Sequence, residues 1–361
     1  MFKSSENFNN SFFGSFAYQL IIERNQDHLL VQIKQIIGFT GLNDKLKDCY
    51  SQDGRYAYQP ETMIKILIIQ FLYDLSDREV LKRIDTDIIC RWFVGIGMSD
   101  SLPHFTKLGT FKERLGLERF EKLFNAIVIA CRESGLVSGE LREIDTTDQK
   151  ARVNITKLKQ LFKKDKDDHD YIDRNSPDKD ASFGRKSFGK KGWYGQKPAC
   201  LVEPETQIVT SLETVPANIN DKDLVRPLVE KEIKNIGSTI EDLGGDKGFL
   251  GPDTRAVCLE YGINDYIIPR KNSVRHLEGK DSIGFHLARW KRPAVERVWS
   301  DTKRKQGLAR CRYIGLAKTK TQNLLIFIGY NLKRIAKVVN DRSQKDSSPP
   351  FMGQLSPFMA D

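Results

Sequence analysis

The sequence predicts an α/β protein whose C-terminal part is a mixed sheet in the order β-β-β-α-β-α-β-α, preceded by an all-helical domain. Three observations predict it. Residues 60–116 carry apolar positions at helical spacing. From residue 139 the texture changes to short β-rich runs. Beyond residue 221, helical and strand-like segments alternate, the pattern of a sheet covered by helices.

Each element follows from local chemistry. Residues 1–50 read as an irregular arm and a helix near 27–37. Glu61–Tyr73 is apolar nearly all round, which predicts a buried helix. Ser76-Asp77-Arg78-Glu79 is a capping box opening a helix over Asp77–Ile84. Further helices are predicted at Asp87–Val94, at Thr106–Leu115 (short and basic) and at Glu118–Ser134. Residues 51–136 thus form a helical domain, either a helix-turn-helix DNA reader or a packing domain. Leu141–Thr146 is a strand ending in an acid. Residues 150–195 are polar and basic, an insertion that is partly helical near 154–163. Gln196–Val202 and Gln207–Val215 are strands joined by the turn Glu203–Thr206. A helix at Asp221–Asn235, a strand at Thr239–Gly245, a helix at Pro252–Tyr261 and a strand at Asp265–Ile268 follow. Helices near 293–306 and 319–340 complete a domain spanning 137–340. The tail, 341–361, is expected to be disordered.

Composition narrows the function. A charged fraction of 29% and a hydrophobic fraction of 39% are those of a globular protein. The longest apolar runs are too short to cross a bilayer, and the Asn-rich start is not an apolar signal core. No membrane role is therefore expected. The six cysteines are scattered singly, without a C-x-x-C pair, so a zinc knuckle or disulfide framework is not suggested and a reducing cytoplasm fits. The net charge is +10, yet residues 270–320 alone hold 15 Lys/Arg against 4 Asp/Glu. Such a concentrated basic surface is the footprint of a phosphate-backbone partner.

Inside that basic segment the carboxylate Glu296 stands on a helix rich in cations, in Arg292-Pro293-Ala294-Val295-Glu296-Arg297-Val298-Trp299-Ser300-Asp301-Thr302-Lys303-Arg304-Lys305. Pro293 suits a first helical turn. Glu296 and Lys303, two turns apart, share a face. By itself this could be a solvated helix with Glu296 paired to Arg292. Asp145 and Asp246 at strand ends give it a second meaning, because active groups of such sheets gather there. Asp148 and Asp242 are their rivals: Asp148 would point to the other face of a continuing strand, and Asp242 reads as mid-strand. Converging carboxylates repel unless cations neutralise them, and hard oxygen ligands select Mg²⁺ or Mn²⁺. Two such ions about 4 Å apart can activate a water or a 3′-hydroxyl and stabilise a phosphodiester leaving oxygen.

These residues resemble the DDE transposases of bacterial insertion sequences. The similar segments include Tyr58-Gln59-Pro60, Leu75–Glu79, Arg91–Gly95 and Thr110-Phe111 in the helical part. In the catalytic part they include Ile144-Asp145-Thr146-Thr147, Pro216-Ala217-Asn218, Gly245-Asp246-Lys247-Gly248-Phe249, Val295–Val298, Gly307-Leu308, Arg312–Ala317 and Asn331–Arg334. The resemblance implies a ribonuclease-H-like catalytic domain and makes Asp145, Asp246 and Glu296 both the catalytic and the metal-binding triad, 101 and 50 residues apart. It implies DNA cleavage at element ends and strand transfer into target DNA, a homodimer or higher oligomer on DNA, and action in the bacterial cytoplasm at the nucleoid. The related signature Tyr-x2-Arg-x3-Glu-x6-Lys is met at Arg292, Glu296 and Lys303, but Arg289 replaces the tyrosine. The expected DNA-binding residues are Arg292, Lys303, Arg304, Lys305, Arg289, Lys247, Arg185 and Lys186. The alternatives are a DNA-binding protein without catalysis and a metal-dependent nuclease of the same fold.

Overall fold

The computed structural model describes residues 12–39, 41–50, 57–161, 169–185, 192–269, 282–345 and 353–354. The chain divides into two units, one built of residues 1–136 with 325–361, the other of Val137–Leu324.

The first unit is helical: α1 (Phe12–Arg24), α2 (Leu29–Ile36), α3 (Leu42–Lys45), α4 (Pro60–Leu72), α5 (Asp77–Thr86), α6 (Ile88–Val94) and α7 (Thr106–Glu133). A two-residue strand β1 (Ile37–Gly38) pairs in parallel with the last of the described strands, β9 (Gly353–Gln354). Helix α4 begins at Pro60, whose missing N–H costs nothing in a first turn, and buries Met63 through Leu72. The capping box is formed: Glu79 N–H donates to Ser76 Oγ and Ser76 N–H to Glu79 Oε2. The two helices expected at 106–115 and 118–134 form one run, broken in its φ/ψ at Gly116 (φ 72, ψ 169). Three expectations are corrected. The arm read as irregular contains α1, because Phe12–Arg24 is apolar without one polar stripe and so shows no amphipathic period. The final helix, α14 (Leu316–Lys345), runs past residue 340, so 341–345 are helical; the remainder of the expected tail, apart from β9, lies outside the described residues. The second unit ends at Leu324 and not at 340, since α14 passes from one unit into the other.

The second unit carries β2 (Leu141–Thr146), β3 (Gln149–Lys150), α8 (Ile155–Leu161), α9 (His169–Asn175), β4 (Ser182–Gly184), β5 (Trp193–Glu203), β6 (Ile208–Pro216), α10 (Val225–Ile236), β7 (Asp242–Gly245), α11 (Pro252–Tyr261), β8 (Asn264–Ile267), α12 (Ile283–Lys291) and α13 (Pro293–Lys305). Strand β5 lies antiparallel between β6 and β2; β2, β7 and β8 run parallel. The short β3 and β4 also pair with β5. The predicted fold class, a mixed ribonuclease-H-like sheet preceded in the chain by a helical region, is what the chain adopts. Among the described residues, no helix is long and apolar enough to cross a membrane.

Strand β2 divides the unit chemically. Side chains alternate faces along a strand. Ile144 joins Leu201, Leu228, Val229, Leu243, Phe249, Val257 and Ile267 in the apolar core under α10 and α11. Arg142 points the same way, fully buried, with Nε donating to Glu232 Oε1 at 2.6 Å and its other nitrogens to the Leu141 and Ser138 carbonyls. Glu143 and Asp145 therefore face the other side, which α12 and α13 cover. The basic insertion has a satellite core of Ala151, Ile172, Ala181 and Tyr194, with Val153, Ile155, Leu158 and Phe183 against it.

Candidate active site

The parallel register of β2 and β7 pairs Ile144 with Gly245. Asp145 and Asp246 each follow by one residue, so they stand side by side at the carboxyl end of the sheet. Neighbouring strands lie roughly 4.8 Å apart, which brings two acids distant in sequence into one place. Asp242, by contrast, opens β7 at its other end and accepts a hydrogen bond from Asn264 at 2.8 Å. It is not mid-strand, because Thr239–Glu241 do not extend the strand.

Helix α13 supplies the third acid. It buries Ala294, Val295, Val298, Trp299 and Thr302 and leaves Glu296 facing solvent, 62% exposed. Trp299 fixes the helix to the first acid: its Nε1 donates to Asp145 Oδ2 at 3.2 Å. Arg292, at the helix start, joins the other two. Its guanidinium lies 4.0 Å from Asp246 Oδ2 and 3.5 Å from Glu296 Oε1. Thus Asp145 stands beside Asp246 and against Trp299 of α13, and Arg292 lies between Asp246 and Glu296.

Burial sets the electrostatics. Desolvation pushes the Asp145 carboxyl up to about 6; the Thr146 N–H, Arg292 and Trp299 oppose this, and nearby Asp246 adds to it. The Cys200 thiol, opposite Asp145 in the β2–β5 register, is pushed well up by burial and by that carboxylate.

Two acids beside this site were not selected from sequence. Glu143 lies two residues before Asp145 on the same face and has no exposed surface. Among the described residues, neither of its carboxyl oxygens has a hydrogen-bond partner. A β-carbon at Gly244, the residue opposite it on β7, would collide with that carboxylate. Burial and Asp145 push Glu143 up to about 8 against the pull of Arg292. The alternation of acids in Leu141-Arg142-Glu143-Ile144-Asp145 is the signal that could have found it. Asp221 accepts from Lys197 Nζ at 2.8 Å and from Thr146 Oγ1 at 3.3 Å, beside the same strand end.

The predicted cations are distributed unevenly. Lys303 bonds Asp148 Oδ1 at 2.9 Å, which gives Asp148 a partner role. Lys305 pairs with Asp301 at 2.9 Å. Arg304, Arg289, Lys247 and Arg185 are exposed; Lys186 lies outside the described residues.

The donor set suits a hard divalent cation: oxygens only, one acid disfavoured in its ionised form by burial, and a second buried without any partner. The acids do not yet form a cage. Among the described residues, no three His, Cys, Asp or Glu side chains close on one point.

A mixed sheet of this order with acids at the ends of two adjacent parallel strands defines a ribonuclease-H-like domain with a carboxylate site. Two family models specify it further. "Transposase domain (DUF772)" matches residues 19–114, and "Transposase DDE domain" matches residues 168–332. The chain belongs to the DDE transposases, a DNA-cleaving and strand-transferring class of enzyme. The second match contains Asp246 and Glu296, whereas Asp145 precedes it. Among solved structures, a piggyBac transposase synaptic complex with hairpin DNA is similar over 93% of this chain and 79% of that chain, at 11% identity and a TM-score of 0.42.

Proposed function

We propose that this transposase cuts DNA at the ends of its mobile element and joins the freed 3′-hydroxyl to target DNA, with Asp145, Asp246 and Glu296 as its catalytic acids. The observation that supports the assignment is where their elements put them. The β2–β7 register sets Asp145 beside Asp246, and the Arg292 guanidinium lies 4.0 Å from Asp246 and 3.5 Å from Glu296. The three acids would hold Mg²⁺ or Mn²⁺, as two ions. When bound, such ions activate the attacking water or hydroxyl and stabilise the leaving oxygen.

The chain's own groups have separate tasks. Trp299 orients the Asp145 carboxylate through its N–H. Arg289, Lys247, Arg304 and Arg185 offer exposed charge to the phosphate backbone. Lys303 and Lys305 reach DNA by exchanging their acidic partners for phosphates. Two element ends have to be handled together, so the working form is a dimer or higher oligomer on DNA in the bacterial cytoplasm.

The test is strand cleavage and joining on element-end DNA with Asp145→Asn, Asp246→Asn and Glu296→Gln. Each substitution should abolish both steps while leaving DNA binding in place. Wild-type activity in any one of them removes that residue from the triad. Cleavage without joining by the unaltered protein would favour a nuclease.

A further inference from the structure

Glu143 and Arg292 present complementary defects within one site. Glu143 has a carboxylate with two unpartnered oxygens and no solvent. Arg292, whose side chain is 22% exposed, has a buried Nε without a hydrogen-bond partner. An unpartnered buried polar group is costly, and more so when charged, so a pair of them is unusual where either could satisfy the other. The two groups interact electrostatically, as do Arg292 and Asp145. The guanidinium meanwhile holds Asp246 and Glu296 only at 4.0 and 3.5 Å, at or beyond the edge of hydrogen-bonding distance. Room for the Glu143 carboxylate exists because residue 244 is glycine.

A cation entering between Asp145, Asp246 and Glu296 meets Arg292 already there. Two like charges cannot share the site, and a guanidinium cannot shed its proton. Arg292 has to move, and a charge leaving for an apolar wall would be costly. We propose that Glu143 is the seat to which Arg292 withdraws, so that the buried Nε and the free carboxylate meet when Asp246 and Glu296 turn to the cation. This rests on the metal-binding reading of the triad and makes Glu143 a positioning residue, acting through Arg292. Four carboxylates then serve two tasks: three for the cation and one for the displaced guanidinium.

The test is Mn²⁺ binding to the full chain by calorimetry, without DNA, for the unaltered protein, Glu143→Gln, Arg292→Gln and the double variant. Glu143→Gln should weaken Mn²⁺ binding by about tenfold, because Arg292 then has no other seat; contacting residues couple on that scale. On the Arg292→Gln background the same change should matter less than about twofold. Glu143→Asp keeps an acid that can pair with Arg292, with a shorter reach, and should restore most of the affinity, which a loss of folding would not. The proposal is overturned if Glu143→Gln leaves Mn²⁺ affinity unchanged, or if the loss persists without Arg292. Asp145→Asn separates the two levels. If that variant binds Mn²⁺ like the unaltered protein, the triad's metal role fails, and the seat for Arg292 fails with it.

Discussion

Removing the charge at Asp145 should make the metal-free protein more stable at neutral pH. The folded state raises this carboxyl from 3.8 to about 6, chiefly by burial. A raised carboxyl binds its proton more tightly folded than unfolded. Its contribution to stability is therefore complete below about pH 4 and is lost as pH rises through about 6. A rise from 3.8 to about 6, at 1.36 kcal/mol per tenfold in proton affinity, gives a penalty of about 3 kcal/mol above pH 7, an upper bound for a partly exposed group. Asn cannot ionise, yet its side-chain oxygen can still accept from Thr146 N–H and Trp299 Nε1. Asp145→Asn should thus gain about 2–3 kcal/mol at about pH 7.5 and almost nothing at about pH 4. Urea unfolding of both proteins in a chelator, across that range, measures the gap. A gap of the same size at both ends, or a less stable variant at about pH 7.5, refutes the burial argument. Adding Mn²⁺ at about 100 times its dissociation constant should favour the unaltered protein by about 2.7 kcal/mol and narrow the difference.

Other consequences follow from single contacts. Trp299→Phe keeps the ring against the core but removes the N–H on Asp145, so the acid side of the cleavage pH profile should move upward by about one unit; an unmoved profile would detach Trp299 from the site. Lys303→Ala should weaken binding to all DNA sequences and flatten the salt slope by about one unit, while Asp148→Asn, which frees Lys303, should strengthen it. Salt titrations of binding decide both. Gly116→Ala places a side chain at φ 72, ψ 169, in open space but in a glycine-only conformation, and should cost about 1–3 kcal/mol by denaturant unfolding. Glu232→Leu strands a fully buried guanidinium and should cost about 3–5 kcal/mol, with Arg142→Met in the same chain recovering most of it.

What the sequence made legible was the local chemistry. The capping box, the Pro-led helices and the strand Leu141–Thr146 rest on interactions within a few residues, and all of them form. Asp145, Asp246 and Glu296 could be nominated because strand ends and a basic helix are local features. What pairs them is not local. The partner of Lys303 is 155 residues away, and Trp299 reaches an acid 154 residues away. No spacing announces either contact. Glu143 was hidden differently: a glutamate inside a short strand reads as a surface position until the strand is found buried on both faces, under α10 and α11 on one side and α12 and α13 on the other. Helix α1 escaped because it is apolar without a period, which leaves no amphipathic stripe to detect.

The site depends on register more than on any one side chain. A one-residue slip of β2 would turn every side chain to the opposite face. Asp145 and Glu143 would then enter the apolar core among Leu228, Val257 and Ile267, while Ile144 would face the acids. Arg142 is the residue that most opposes such a slip. It lies on the core face with no exposed surface, and its hydrogen bond to Glu232 on α10 exists only in the present register. Glu232 is held in turn by the Thr210 hydroxyl on β6. A buried ion pair is a weak source of net stability, because desolvation offsets the attraction. Its position directly between Leu141 and Glu143 gives it a different value here: the apolar face of β2 carries a charge that fits in one register only. The same strand therefore specifies the alignment with one face and presents the acids with the other.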